Sequence, residues 1–225
     1  MKLNAERISK KFPRIRNGAN FFYALEETDF VMESGTLSVV TGRSGGGKTT
    51  LLNILGGLLQ PSSGTVKIDG VDLYAMTDKA LSEYRNRYIA VIPQGVSAVY
   101  TLTVKENILL PTMMYGKRTS ENEQEAERLM ELFGIDDLKD AMPAELSGGE
   151  LRRMAIARAL ITKPQVILAD EPTGDLDDEN TRIVLEILKK KAKEGAAVLL
   201  ISHDAETVAY ADMVYRIDGG KLEQR

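Results

Sequence analysis

The sequence predicts an α/β fold: a mostly parallel sheet covered by helices on both faces, with a small antiparallel β subdomain near its start and an inserted α-helical subdomain. Short apolar strands alternate with helical stretches toward both ends of the chain, as parallel strands joined by crossover helices do. Turn signals at 61–64 (PSSG), at Asp69-Gly70 and at Gly219-Gly220 mark hairpins outside that alternation. From 103 to 162 the pattern is mostly helical, which reads as an insertion. With 225 residues, about one and a half times a typical domain length, the chain is expected to form one domain. Its core would be built from 1–94 and 163–225, and its helical subdomain from 95–162.

The elements follow in order. Residues 36–40 (TLSVV) are a short apolar strand that runs into a glycine-rich loop at 42–47, and 48–55 have helical character. After the turn at 61–64 comes a strand at 65–68, then the Asp69-Gly70 turn. Residues 88–92 (YIAVI) form an apolar strand ending at Pro93. Residues 121–133 are an amphipathic helix stopped by Gly134, a C-cap signal. Residues 149–160 form a second helix, with Leu151, Met154 and Ala155 expected on one face and Arg152, Arg153 and Arg158 on the other. A buried-type strand at 166–169, a helix at 178–193 ending at Gly195, a strand at 196–201 and a terminal hairpin from 213 onward complete the chain. Lys189, Lys190, Lys191 and Lys193 complement the negative end of their helix.

Composition narrows the function. Lys and Arg number 29 against 33 Asp and Glu, a net charge of −4. That balance argues against a nucleic-acid partner, which calls for a dominant basic field. The absence of cysteine excludes disulfides, thiolate zinc sites and cysteine nucleophiles, and a single histidine excludes multi-histidine metal sites. No apolar run approaches the roughly 18 residues that a membrane span needs, and the first residues lack the apolar stretch of a secretory signal. A soluble, cytoplasmic chain is expected, reaching a membrane only through a partner.

Three motifs carry chemistry. Residues 42–49 (GRSGGGKT) match G-x-x-x-x-G-K-[ST] between a strand and a helix, the context of a phosphate-loop NTPase core. Gly42, Arg43, Ser44, Gly45, Gly46, Gly47, Lys48, Thr49 and Thr50 are therefore candidate phosphate-binding residues. The glycines let backbone N–H groups turn inward without Cβ clashes, and the helix N-terminus adds partial positive charge. Lys48 would supply a full charge to the β- and γ-phosphates, and the Thr49 hydroxyl a ligand for Mg²⁺. The strand at 166–169 ends in Asp170-Glu171, which puts two carboxylates at the edge of the sheet where ligands of open α/β sheets bind. Alone, such a pair is a solvated cap. After a phosphate loop, Asp170 becomes a candidate Mg²⁺ ligand through water, and Glu171 a general base for an attacking water or a group that orients it. Lastly, 146–150 (LSGGE) opens the arginine-rich helix. Ser147 and Glu150 fit a capping box, and the same N–H groups make a second anion nest. Two phosphate-cradling helix ends with one lysine-bearing loop suggest that one of them serves a nucleotide on another subunit.

The set GRSGGGKTT, LSGGE, VILADEPTGDLD and SHD, in this order and spanning essentially the whole chain, resembles the nucleotide-binding subunit of ATP-binding-cassette (ABC) transporters. The LSGG element upstream of a strand ending in DEPT separates that family from other phosphate-loop NTPases. The resemblance implies an ATPase using ATP and Mg²⁺. Two copies would form a head-to-tail dimer with two ATPs sandwiched between them, and would power a separate transmembrane permease on the inner face of the cell membrane. Residue by residue, it implies Gln94 as the sensor of Mg²⁺ and the γ-phosphate and Glu171 and His203 as catalytic. It implies Thr49, Gln94 and Asp170 at the metal, and Ser147 and Gly149 as contacts to the γ-phosphate held by the other copy. Residues 174–177 would link the two sites. Phe12, at the close of the first strand, would stack on adenine. Phe21, Phe22 and Tyr23 compete for that role and are expected in the core or at a sheet edge. No N-K-x-D guanine motif is present, in keeping with ATP rather than GTP.

The chain departs from the family at three positions. Arg43 and Gly46 stand where small residues or proline and serine are common, and Gly46 should loosen the loop. Glu150 replaces the commoner glutamine, which would put a carboxylate near the partner's ribose, to accept hydroxyl hydrogen bonds or to weaken closure. The wording DEPTGDLD and 103–114 (TVKENILLPTMM) look like the lipoprotein-releasing and macrolide-exporting group. One other reading stays open, an ABC ATPase driving a membrane signalling or cell-division complex without transport; a soluble one acting on ribosomes or DNA is disfavoured, since such proteins usually carry two cassettes or a long coiled-coil insertion and this sequence shows neither. Segment 95–102 (GVSAVYTL) carries Val96, Val99, Tyr100 and Leu102 with no clear strand or helix period. It is expected to form a groove for a helix of the membrane subunit, or else to be buried under the helical subdomain.

Overall fold

The computed structural model describes residues 1–16, 19–114, 116, 119–174 and 176–225, and the side chains of these residues apart from 14–16, 19 and 20. The strand–helix alternation builds a six-stranded sheet in the order β10-β9-β3-β8-β7-β6. Its members are β3 (Leu37–Thr41), β6 (Ile89–Ile92), β7 (Val166–Asp170), β8 (Ala197–Ile201), β9 (Met213–Asp218) and β10 (Lys221–Gln224). The pairs β9–β3, β3–β8, β8–β7 and β7–β6 are parallel, and β10 folds back antiparallel on β9.

Side chains alternate between the two faces of this sheet, as strand geometry requires. On one face Val40, Leu168, Leu199 and Ile201 pack with α1 (Lys48–Leu55) and a second, antiparallel sheet. On the other, Val39, Ile167, Val198 and Leu200 pack with the helices of the insertion and with α6 (Asp178–Lys193). Because both faces are covered, β7 and β8 are buried along their whole length. Each such Leu or Ile contributes about 1.5–3 kcal/mol by leaving water. The second sheet runs β2-β1-β4-β5, from β1 (Lys2–Arg16), β2 (Ala19–Glu33), β4 (Ser63–Ile68) and β5 (Val71–Asp72). The Asp69-Gly70 turn joins β4 to β5 as expected, pairing Ile68 with Val71. The first strand does not close at Phe12: it continues to Arg16, with Phe12 opposite Phe22 in the β1–β2 ladder.

The remaining helices are α2 (Asp78–Tyr88), α3 (Val104–Met114), α4 (Ser120–Leu132), α5 (Gly148–Leu160) and the short α7 (Ala205–Ala209). Gly134 takes the positive φ of 59° expected after α4. Tyr88, expected to start a strand, ends α2 instead, its ring 4.7 Å from that of Tyr84 one turn earlier. The split of α5 into an apolar and an arginine face also fails: Arg152 is 3% exposed and belongs to the interior. Among the described residues no helix is long and apolar enough to cross a membrane.

Candidate functional site

Four adjacent parallel strands, β3, β8, β7 and β6, deliver their C-terminal ends to one edge of the sheet, the side on which ligands bind in open α/β folds. There a cleft of about 670 Å³ opens. Gly42, Arg43, Ser44, Gly45, Gly47, Lys48, Thr49 and Thr50 line it after β3, Gln94 after β6, Asp170 and Glu171 after β7, and His203 after β8. Gly46, the one loop residue off the lining, holds the loop's base.

The loop has the shape it has because of its glycines. At Gly47, with φ 108°, a Cβ would fall 2.1 Å from the Ala24 carbonyl oxygen, and at Gly42 a Cβ would fall 2.1 Å from that of Ile217. Gly46 does not loosen the turn. Its N–H donates to the Arg43 carbonyl at 3.1 Å, its own carbonyl accepts from Gly220 N–H at 3.1 Å, and a Cβ there would press on Arg43 O at 3.0 Å. The expectation of a looser loop is overturned: the small residue allows tight backbone packing.

α1 is set apart from the other helices at its start. Helices α2 to α7 are capped by the side chains of Thr77, Thr103, Thr119, Ser147, Asp177 and Asp204. α1 begins at Gly47 with no side-chain cap and no acidic residue in its first turn, so its leading N–H groups face the cleft available to an anion. Lys48 Nζ donates to the carbonyls of Gly42 (2.8 Å) and Arg43 (3.0 Å), holding the ammonium over the loop.

Two side-chain pairs complete the cleft. Thr49 Oγ1 donates to Asp170 Oδ2 at 2.6 Å, joining the start of α1 to the end of β7. Glu171 Oε1 lies 2.9 Å from His203 Nδ1. This hydrogen bond, followed by the charge of Glu171, raises the His203 pKa above its ordinary value. A carboxylate paired with an imidazole can take a proton from a water molecule and hold it, while the loop and Lys48 balance phosphate charge. Glu171 sits at φ 47°, unusual for a residue with a side chain, and its N–H donates to Ile201 O on β8 at 2.9 Å.

Two aromatic rings, not one, border the cleft. Phe12 and Phe22 both line it, with centroids 6.0 Å apart and planes tilted by 33°. Phe21, Phe22 and Tyr23 are exposed on β2, the edge strand of its sheet, and only Phe22 of the three lines this cleft. Opposition across a hairpin is the signal that would have singled it out.

Ser147 and Gly149 are not in this cleft; they stand at the N-terminus of α5. The capping box forms: Ser147 N–H donates to Glu150 Oε2 at 2.7 Å, and Glu150 N–H to Ser147 Oγ at 3.3 Å. The Ser147 hydroxyl is also 2.7 Å from Glu150 Oε2. Glu150 is thus folded back on its own helix rather than extended outward, and hydrogen bonds from Ser147 lower its pKa. In the 174–177 segment Asp175 lies outside the described residues; Gly174 N–H donates to Glu171 O at 3.2 Å, and Asp177 caps α6. Sequence reasoning placed Arg152 on the arginine face of α5 and gave it no functional role.

Comparisons with known proteins identify the family. The ABC transporter family model matches residues 25–174. The chain is 40% identical over 220 residues to the methionine import ATP-binding protein MetN of Rhizobium meliloti, covering 97% of this chain but only 61% of that protein. It is 37% identical over 210 residues to the lipoprotein-releasing system ATP-binding protein LolD of Chromohalobacter salexigens, covering 93% and 89% respectively. A solved dimeric ATP-binding cassette in a post-hydrolysis state, bound to ADP and Pi, superposes with a TM-score of 0.90 at 29% identity, covering 99% of this chain and 98% of that one. With a family match over more than half of its length and relatives of such identity along nearly all of it, this chain belongs to the ABC transporter family.

Proposed function

We propose that the chain is the ATP-binding and ATP-hydrolysing subunit of a transporter, acting as a head-to-tail pair on the inner face of the cell membrane beside a separate permease. The observation that carries this reading is the convergence of an uncapped helix start, Lys48, Gln94, Asp170, Glu171 and His203 on one cleft. In it the loop and Lys48 hold the β- and γ-phosphates, Phe12 with Phe22 borders the adenine, and Glu171 accepts a proton from the attacking water while His203 steadies the carboxylate and Gln94 senses the γ-phosphate. Mg²⁺ fits the donor set. Thr49 Oγ1 and Asp170 Oδ2, hard oxygen donors 2.6 Å apart, are too few for a protein cage and suit a cation that keeps waters and binds phosphate oxygens. Bound there with Gln94 nearby, the cation would neutralise phosphate charge.

Ser147 and Gly149 lie off their own chain's cleft, which favours a role toward the nucleotide of a second copy. The solved relative with ADP and Pi is dimeric, in line with that reading. The permease contact is assigned to the segment after Gln94. Val96, Val99 and Tyr100 are 39%, 37% and 62% exposed, so the segment is not buried under the helices.

Replacing Glu171 tests the reading. Glu171→Gln is expected to keep ATP affinity and to lower turnover by about 10²–10⁴, the usual contribution of a general base. The retained ATP then holds two copies together, which light scattering reads as a doubled mass. A monomer with wild-type turnover would sink the proposal.

A further inference from the structure

Arg152 lies at the start of the second turn of α5, behind the cleft rather than in it, and is almost fully buried. Its guanidinium reaches five backbone carbonyls at or just after the ends of β6 and β7. Nη1 donates to Pro93 O at 2.7 Å and Gln94 O at 2.9 Å, on the loop after β6. Nη2 donates to Glu171 O at 2.6 Å and Asp170 O at 3.3 Å, and Nε to Pro172 O at 3.0 Å, at the end of β7 and on the loop after it. An arginine presents its five N–H donors in a fixed planar fork, so it sets the distance between the loops as well as the presence of a bond.

One of those loops needs holding. Glu171 occupies a left-handed conformation that a residue with a side chain keeps only where its surroundings fix it. Its N–H is tied to Ile201 O, and its carbonyl accepts from Gly174 N–H and, at the shorter distance of 2.6 Å, from Arg152. The same side chain grips the carbonyl of Gln94 and rides on the helix whose first residues are Gly148 and Gly149.

We propose that Arg152 is a positioning residue that fixes the Glu171 loop against the Gln94 loop, so that the Glu171 carboxylate is aimed correctly only when α5 and the Gln94 loop are both seated. This rests on the ATPase reading given above. It makes α5 part of the catalytic geometry of its own chain, in addition to any role its N-terminus has toward a second copy.

The test uses the whole chain with Arg152→Gln and Arg152→Lys, alone and combined with Glu171→Gln. Turnover of Arg152→Gln should fall about 10–100-fold, the scale of an ångström-sized misplacement. KM and the affinity for a fluorescent ATP analogue should stay within about threefold. Arg152→Lys, which keeps the charge but not the fork, should fall in between. Because the effect acts through Glu171, Arg152→Gln should lower the residual single-turnover rate of Glu171→Gln by less than about twofold, a strong non-additivity. Wild-type turnover in folded Arg152 variants, loss of ATP affinity in step with turnover, or full multiplication of the two defects would overturn the proposal. Should Arg152→Gln fail to fold, Arg152→Lys carries the same cycle; failure of both would mark a structural residue and overturn it too. Wild-type turnover in Glu171→Gln alone would instead remove the underlying ATPase reading, and this inference with it.

Discussion

His203 is the chain's single histidine, so one imidazole signal reports directly on the cleft. Its pKa is raised chiefly by the hydrogen bond to the Glu171 carboxylate and then by that carboxylate's charge, with burial and Lys48 opposing. The sign follows: a group whose folded pKa lies above its unfolded value of about 6.5 adds stability below that pH and loses it as pH rises through the folded pKa. The His203–Glu171 bond is therefore an ion pair in mildly acidic solution and becomes a hydrogen bond from a neutral imidazole to the carboxylate above the raised pKa. An NMR titration of the ring should give a midpoint above about 6.5 that falls toward that value in Glu171→Gln. The ring is largely exposed, so the effect on global stability is small and the titration, not the melting temperature, is the measurement to make. A midpoint at or below the ordinary value in the wild type would mean that the pair does not form in solution.

At the scale of elements, segment 95–102 joins a fixed backbone to exposed apolar side chains. Asn107, fully buried on α3, accepts from Val99 N–H at 2.9 Å and donates to the carbonyls of Val99, Leu102 and Thr103, each at 3.0 Å. A loop pinned this way presents Tyr100 outward without needing it for folding. Tyr100→Glu should therefore keep the wild-type melting temperature and basal ATPase activity while losing stimulation by the reconstituted membrane partner; a drop in all three would show Tyr100 to be packed rather than offered. The same contrast explains what was legible in the sequence. α1 and α6 begin and end at the expected residues because their signals are local: a glycine-rich loop before one, an Asp cap before the other and Gly195 after it. The phosphate loop and the carboxylates after β7 were legible for the same reason, being short runs of unusual composition. Tyr88 was misread because its β-favouring ring packs on Tyr84 in α2. Arg152 was misread because the carbonyls it serves lie 18 to 59 positions away in sequence, and no helical periodicity reports them. Phe22 became a second ring beside Phe12 through strand register, which depends on how far the hairpin runs.

At the scale of the whole molecule, the chain has the cleft that holds Lys48 at one sheet edge and the N-terminus of α5, with Ser147 and Gly149, outside it. If each active site combines the loop of one copy with α5 of the other, as proposed, then two differently damaged chains should repair one another. Lys48→Ala removes the charge from the loop. Gly149→Asp puts a carboxylate at the start of α5, where it repels a phosphate. A Cβ at Gly149 meets nothing closer than Leu176 Cδ2 at 3.6 Å, so that variant has room to fold. Each variant alone damages both sites of a twofold pair and should be close to inactive. In a mixed pair, the intact loop of one chain meets the intact α5 of the other, leaving one site undamaged and gathering both lesions in its twin. With equal amounts and free exchange, half the pairs are mixed and each carries one working site, so ATPase activity should recover to about a quarter of wild type. Recovery should depend on total protein concentration, since pairing does. If every site were built within one chain, mixing would restore nothing at any concentration, and the assignment of Ser147 and Gly149 to the other copy's nucleotide would have to be withdrawn.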